Sequence, residues 1–378
     1  MVIALAVAGE VLLRIAPGLS PEARARERLN RLHPTWTPVI NVIKAQEVAA
    51  PTTYKPVPPI GAVMSPLQHD TVRTPDYTFV RETDHAGFTN HDPWPARVDV
   101  AVLGSSLVTG PGVGVDGQFS TLLERRFPGH AVLNLGIPGG GSELEVRAES
   151  LYAEAYHPAV VLLAIWVASD VDNSRTFAHW EGEKSPQGFS EYRFDFYRTH
   201  PDTVVHGAVS RLLNASALWR AAWTTTRAVL ARAPMRERVA FDNGDTIYLS
   251  VRLQHRLAEG MHRADTPDLR DVMLDPLQRL QHRVEARGGH FAVVLLPSKE
   301  EIYGAQAFPP VLRTAREVRA ALHARRIPVV DLYDDFRRLD RREPAFYPTD
   351  IHYTALGNQV IADAIARWME SVWPEGAR

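Results

Sequence analysis

Residues 98–110, Val98-Asp-Val-Ala-Val-Leu-Gly104-Ser-Ser106-Leu-Val-Thr-Gly110, decide how the rest of the chain is read. A run of β-branched and aliphatic residues closed by a glycine predicts a buried parallel strand running into a loop, and open α/β sheets keep their sites at such strand ends. Ser106 is therefore a candidate nucleophile. The alternative is that Ser105 and Ser106 cap the helix that follows or fill a polar turn.

Working outward from this stretch, the pattern becomes regular. Asp116 is a candidate N-cap for a helix through Phe127, His130 to Leu135 predicts a second strand, and Ser142 to Tyr156 a helix. Pro158 to Trp166, apolar at successive positions, predicts a strand buried on both faces. Strand, helix, strand, helix, strand implies right-handed crossovers and a parallel sheet. From Phe177 to about Asp271 the rhythm breaks into an aromatic polar stretch (Trp180, Tyr192, Phe194, Phe196, Tyr197) and helical segments near Gly207 to Ala231 and Leu249 to His262. This reads as an insertion over the active edge of the sheet. Alternation then resumes with a helix about Pro276 to Arg287, strand His290 to Leu296, helix Pro310 to Arg325, strand Pro328 to Leu332 and a last helix Ala355 to Val372.

Composition bounds the function classes. With 378 residues, 45% hydrophobic and 23% charged, the chain has the profile of an α/β protein with a substantial core. One large domain with extensions is expected: an apolar segment 1–18, a proline-rich wrapping extension 19–96, and a main domain 97–378 interrupted at about 177–271. A formal net charge of −2, with arginines scattered among acids, gives no electrostatic case for nucleic-acid binding. The absence of cysteine excludes disulfides, thiolate metal sites and a cysteine nucleophile. Met1 to Ile15 is almost wholly apolar, yet Glu10 and Arg14 interrupt it and it falls short of the roughly 20 residues a spanning helix needs. It reads as an amphipathic helix docked on the protein or lying at a membrane surface, or as the tail of an anchor that starts upstream, and membrane association through this end is expected. From Pro17 to Pro95 one short helix, about Pro21 to Leu32, is expected, and the proline-spaced Ala50 to Pro66 should be extended.

Two further features carry chemistry. The turn Asn134-Leu-Gly-Ile-Pro-Gly139-Gly-Gly-Ser142 follows the second strand and supplies unhindered backbone N–H groups at a helix start, the raw material of an oxyanion hole. A phosphate-cradling role is disfavoured: Gly112-Val-Gly114-Val-Asp-Gly117 matches Gly-x-Gly-x-x-Gly but starts well beyond the strand end at Gly104. Just before the final helix, Tyr347-Pro-Thr-Asp350-Ile-His352 places an acid and an imidazole two residues apart. His352 could take a proton from Ser106 while Asp350 orients the ring. The alternatives are an Asp350 that caps the helix beside a half-exposed histidine, or two metal ligands lacking a third.

In order, Gly104-Ser105-Ser106-Leu107, Asn134-Leu-Gly-Ile-Pro-Gly139, Ala168-Ser169-Asp170-Val-Asp-Asn173 and Asp350-Ile-His352 resemble the blocks of the SGNH (GDSL-like) hydrolase superfamily over about Asp84 to Ala366. The resemblance implies a three-layer α/β/α sandwich with a doubly wound, flavodoxin-like parallel sheet. It also implies Ser106 as nucleophile, His352 as general base, Asp350 as its partner, and an oxyanion hole from Ser106, Gly139 and Ser169. Two positions depart from the pattern: Ser105 stands where the family name has aspartate, and Ser169 stands where the family usually has an asparagine whose amide donates to the oxyanion. Glu10 to Arg14 resembles the segment after an N-terminal anchor, and Pro297 to Tyr303 resembles a segment of O-acetyltransferase-like relatives, which points to the cell envelope. The implied activity is a metal- and cofactor-free serine esterase acting on an O-acyl, above all O-acetyl, ester of a carbohydrate or lipid. Polysaccharide O-acetyl transfer through the same triad, or a catalytically silent carbohydrate-binding protein, are the alternatives. If the blocks converge, Ser106 Oγ should lie within about 2.6–3.5 Å of a His352 ring nitrogen.

Overall fold

The computed structural model describes residues 9–12, 16, 54–74, 76–184, 189, 192–193, 236–261, 270–339 and 342–374. In chain order the strands are β1 (Tyr54–Val57), β2 (Gly61–Met64), β3 (His69–Arg73), β4 (Thr78–Glu82), β5 (Val100–Gly104), β6 (Val132–Gly136), β7 (Val160–Trp166), β8 (Arg236–Ala240), β9 (Thr246–Ser250), β10 (His290–Leu296) and β11 (Val329–Asp331). Five of them form one sheet in the order β6–β5–β7–β10–β11, and every neighbouring pair is parallel. β7 lies at its centre because all seven of its residues are buried, leaving no polar face to turn to water. Each of its Val, Leu and Ile side chains contributes about 1.5–3 kcal/mol by leaving water.

The connection from β5 to β6 runs one way across the sheet, and those from β6 to β7, β10 and β11 run the other. Right-handed crossovers therefore put the helix Phe119–Arg126 on one face, and Ser142–Tyr152, Asp275–Ala286 and Arg313–Ala324 on the other. The final helix Ala355–Val372 packs on Phe119–Arg126, and Ser142–Tyr152 packs on Asp275–Ala286. Glu149, wholly buried, pins the latter pair by accepting from Arg283 at 2.7 Å and Arg287 at 2.5 Å. The result is the expected three-layer sandwich with a doubly wound parallel sheet.

Several elements differ from expectation. The helix foreseen from Asp116 to Phe127 is two pieces, Gly114–Gly117 and Phe119–Arg126, with extended Gln118 between them. Asp116 caps nothing and instead pairs with Arg125 on the surface; two glycines in the first piece make it a poor helix, so the break falls there. The helix from Ser142 ends at Tyr152, and Glu154–Tyr156 form a 3₁₀ turn. The foreseen helix Leu249 to His262 covers Val251–Glu259. The hairpin β8–β9 was not anticipated at all, although Asn243-Gly244 at its turn is a strong hairpin signal and Gly244 has the positive φ (+89°) such a turn requires. Its Val239, Phe241, Ile247 and Leu249 form a small apolar cluster.

Of the N-terminal region, residues 9–12 are helical. The rest of Met1 to Ile15, the foreseen helices Pro21 to Leu32 and Gly207 to Ala231, and Phe194, Phe196 and Tyr197 lie outside the described residues. The proline-spaced segment is an antiparallel hairpin, β1–β2, joined by a 3₁₀ turn at Pro58–Ile60, and a second hairpin, β3–β4, follows. Ile60, Val63 and Phe88 belong to the main core.

Candidate active site

The parallel strands deliver their C-terminal ends to one edge. β5 ends in Gly104, whose φ is +150° and whose Cα lies so close to β7 that a Cβ there would stand 2.8 Å from the Ala164 carbonyl oxygen. Only glycine fits this approach, and it turns the chain so that Ser106 opens the short helix Ser106–Thr109. From β6, Asn134 ties the neighbouring turns together: its Nδ2 reaches the Val108 carbonyl, Gln118 and Ser120, and its N–H donates to Asn90 Oδ1. Asn90 in turn donates to Asp84, a fully buried carboxylate that also accepts from three successive backbone N–H groups and the Trp94 indole.

His352 Nε2 stands 3.0 Å from Ser106 Oγ, inside the expected reach. The ring's Nδ1 is 2.5 Å from Asp350 Oδ1, and the same oxygen accepts the His352 backbone N–H at 3.0 Å. One intervening residue suffices because the Asp350 side chain folds back onto its own turn and meets the imidazole there. Histidine and aspartate are both largely buried, at 10% and 14% side-chain exposure, so the relay is held away from bulk water. A ring that donates Nδ1–H to the carboxylate has Nε2 left to accept the serine proton.

Three groups that the sequence reading did not single out hold this turn. Lys299, buried, donates Nζ to the carbonyls of Tyr347 and Pro348 at 3.1 Å each and of Asp350 at 2.8 Å. Asp76 Oδ2 accepts from Thr349 N at 2.8 Å, Thr349 Oγ1 at 2.9 Å and Asp350 N at 2.6 Å. Tyr77 donates its hydroxyl to Asp350 Oδ2 at 3.2 Å. The Asp-Tyr pair carries no local pattern that ties it to a turn some 270 residues on. Pro297 to Tyr303 stands out in the sequence as a segment, and nothing local marks its Lys299.

Ser169 follows β7, and its hydroxyl donates to Asp170 Oδ1 at 3.0 Å. Asp170 also accepts the Trp166 N–H at 2.7 Å and the Ser105 hydroxyl at 3.3 Å, so it joins the end of β7 to the Ser105-Ser106 turn. Glu145 lies buried nearby; burial raises both carboxyls, and the Asp170 charge further opposes ionisation of Glu145. Gly139, at φ +77°, lies beneath the Arg193 guanidinium, and a Cβ there would collide with it. The N–H groups of Ser106 and Gly139 make no hydrogen bond to any described residue. The structure thus unites Ser106, His352 and Asp350 directly, and ties Ser169 to the Ser105-Ser106 turn through Asp170. Among the described residues no group of three or more acidic or histidine side chains could hold a metal.

Residues 262–377 match the family model of the SGNH hydrolase-like domain, acetyltransferase AlgX. The match takes in β10, β11, the Asp350–His352 turn and the final helix, while the Ser106 turn lies upstream of it. Solved structures similar to the chain include an acetyl xylan esterase, AlAXEase, at 12% identity over 71% of this chain and 98% of that one, with a TM-score of 0.34. A lipase/acylhydrolase from Enterococcus faecalis is 12% identical over 73% of this chain and 96% of that one, with a TM-score of 0.36. No curated protein sequence matches the chain.

Proposed function

We propose that this SGNH domain is a serine-dependent esterase that hydrolyses an O-acyl ester, foremost an O-acetyl ester, of a carbohydrate or lipid. The observation that carries the reading is the unbroken relay from Ser106 Oγ through His352 to Asp350. Ser106 Oγ attacks the acyl carbon as its proton passes to His352 Nε2, and Asp350 stabilises the imidazolium. The tetrahedral oxyanion is met by the Ser106 and Gly139 N–H groups, and the imidazolium returns the proton to the departing alcohol. A water, deprotonated by His352, then releases the acid and restores Ser106. No step calls on a metal or an organic cofactor.

A second reading, O-acetyl transfer, is favoured by the acetyltransferase description of the matched family. There a sugar hydroxyl replaces water in the second step. Acetate release from a panel of acetylated glycans, wild type beside Ser106→Ala, tests the first reading, and acyl-donor turnover that depends on added saccharide marks the second. Ser106→Ala deletes one hydroxyl and should abolish turnover while leaving the melting temperature nearly unchanged; turnover equal to wild type would place the chemistry elsewhere. A silent carbohydrate-binding protein would show neither activity.

An envelope location, with membrane association through the apolar start, is part of the same proposal. No described helix is long and apolar enough to cross a membrane. Val11 and Leu12, on the short helical stretch at the start, are exposed. Deleting residues through Ser20 should release the chain from membranes or detergent with the sheet intact; equal partitioning of the two forms would remove the membrane from the proposal.

A further inference from the structure

We propose that Tyr77, on the β3–β4 hairpin, is a positioning residue of the active site, holding Asp350 by Oδ2, the carboxylate oxygen opposite the one that meets His352. The inference rests on the esterase reading for its kinetic arm and on geometry alone for the rest.

Asp350 Oδ1 is taken by the ring Nδ1 and backbone N–H of His352. Its Oδ2 takes the Tyr77 hydroxyl, across 273 residues of chain. A carboxylate gripped at both oxygens cannot swing about its terminal torsion, a torsion that is otherwise soft. The next residue on the hairpin reinforces the grip, since Asp76 Oδ2 fixes the backbone of Thr349 and Asp350. The Tyr77 ring packs on Tyr347, centroids 4.5 Å apart, and Tyr347 in turn lies over Gly112, where a Cβ would stand 2.4 Å from its hydroxyl. The phenol is thus braced against the same turn it holds. Burial and the Asp350 charge push the Tyr77 phenol upward, so the hydroxyl keeps its proton and remains a donor throughout the working range.

The groups that face the Asp350 carboxylate and turn are Tyr77 and Asp76 from the hairpin, Lys299 from the segment after β10, and Tyr347 and His352 from the turn itself. Among these, Tyr77 alone gives a side-chain proton to Oδ2 in the described structure. That donation draws negative charge away from the oxygen that faces the imidazole. Without it the carboxylate holds the imidazolium more tightly, so the base stays protonated to higher pH and sits less firmly against Ser106.

Tyr77→Phe keeps the ring and removes the donor. On an activated acetyl ester its kcat should fall about 5- to 30-fold with KM little changed, as misorientation of a base predicts. The acidic limb of kcat/KM should move to higher pH by about half a unit, the effect of one lost hydrogen bond to a carboxylate. Tyr347→Phe, which removes a neighbouring hydroxyl, should leave that limb in place. Replacing Tyr77 with 3-fluorotyrosine keeps the fold and strengthens the donor, and should move the limb the opposite way. An NMR titration of the His352 ring reads the same displacement with no turnover at all. A displaced midpoint in a protein that cleaves no ester would uphold the positioning role and end the esterase reading. Wild-type kcat and an unmoved midpoint in Tyr77→Phe, with Ser106→Ala inactive, would overturn the positioning role alone.

Discussion

Ser169 shows how one side chain can leave its expected task. Its hydroxyl proton is engaged by Asp170 Oδ1, so it is not free to meet a developing oxyanion, and the N–H groups of Ser106 and Gly139 are left as donors. An asparagine at this position carries a longer arm with two N–H donors. Ser169→Asn should therefore raise kcat on an activated ester by about 10-fold, below the roughly 10²- to 10³-fold of a full oxyanion donor because the surrounding shell was not built for it. The gain should appear in kcat, since the charge exists only in the transition state. A lower kcat in a folded Ser169→Asn protein would show that the bond to Asp170 matters more than an added donor. The residues of the relay were legible because each sits in a short block whose chemistry is local: a serine at a strand end, an acid and an imidazole one residue apart. Asp76, Tyr77 and Lys299 were not legible in that way, because what they do depends on a turn met only after the chain has folded.

The helix Lys299–Tyr303, at the end of β10, carries two opposite kinds of burial. Ser298 and Glu301 form a capping box, in which each side chain takes the other's backbone N–H. Lys299 donates to three carbonyls, and its replacement by methionine would take that donor from Tyr347 and Asp350, while the Pro348 carbonyl would keep the Tyr248 N–H. Lys299→Met should lower stability by about 2–4 kcal/mol, seen as a reduced midpoint in denaturant with an unchanged slope, and should reduce ester turnover by loosening the Asp350 turn. Glu301 is wholly buried, and burial pushes its carboxyl up to about 7 despite the hydrogen bonds it accepts from Ser298 and Tyr333. A carboxyl raised by folding holds a proton that the unfolded chain has lost, so its contribution is present in full below about pH 4 and is lost as pH rises through about 7. The melting temperature of the wild type should therefore fall between about pH 5 and pH 8, and Glu301→Gln, which still serves a capping box, should flatten that slope. Identical slopes would place the dependence elsewhere. Elements were legible where periodicity and burial agree: the strand from His290 and the helix Ala355–Val372 fall where the pattern put them. They were misread where a glycine pair split a helix at Gln118, and where an Asn-Gly turn between two short polar-faced strands was passed over.

On the scale of the molecule, the proline-rich lead-in behaves as part of the building. Its Ile60, Val63 and Phe88 are buried in the main core, and Asn90, held by Asp84, bonds to Asn134 of β6. A chain begun at Arg97 should lose these groups and with them several kcal/mol, since each large apolar side chain removed from a core costs about 2–5 kcal/mol. Its circular dichroism melt should be lower by well over 10 °C or absent, and an unaltered melt would show the hairpins to be ornament. The two-way connection pattern has a further consequence in time. The last sheet strand ends at Asp331, while Asp350 and His352 come about 20 residues later. A ribosome adding roughly 5–20 residues per second completes that interval in about 1–4 s. During it the nascent chain can hold a full sheet and an exposed Ser106 with no imidazole beside it. The last helix, Ala355–Val372, which follows the turn directly, packs on Phe119–Arg126, near the opposite end of the domain's sequence. On the proposed esterase mechanism, a newly made molecule should therefore be unreactive toward esters until the Asp350–His352 turn has emerged from the ribosome.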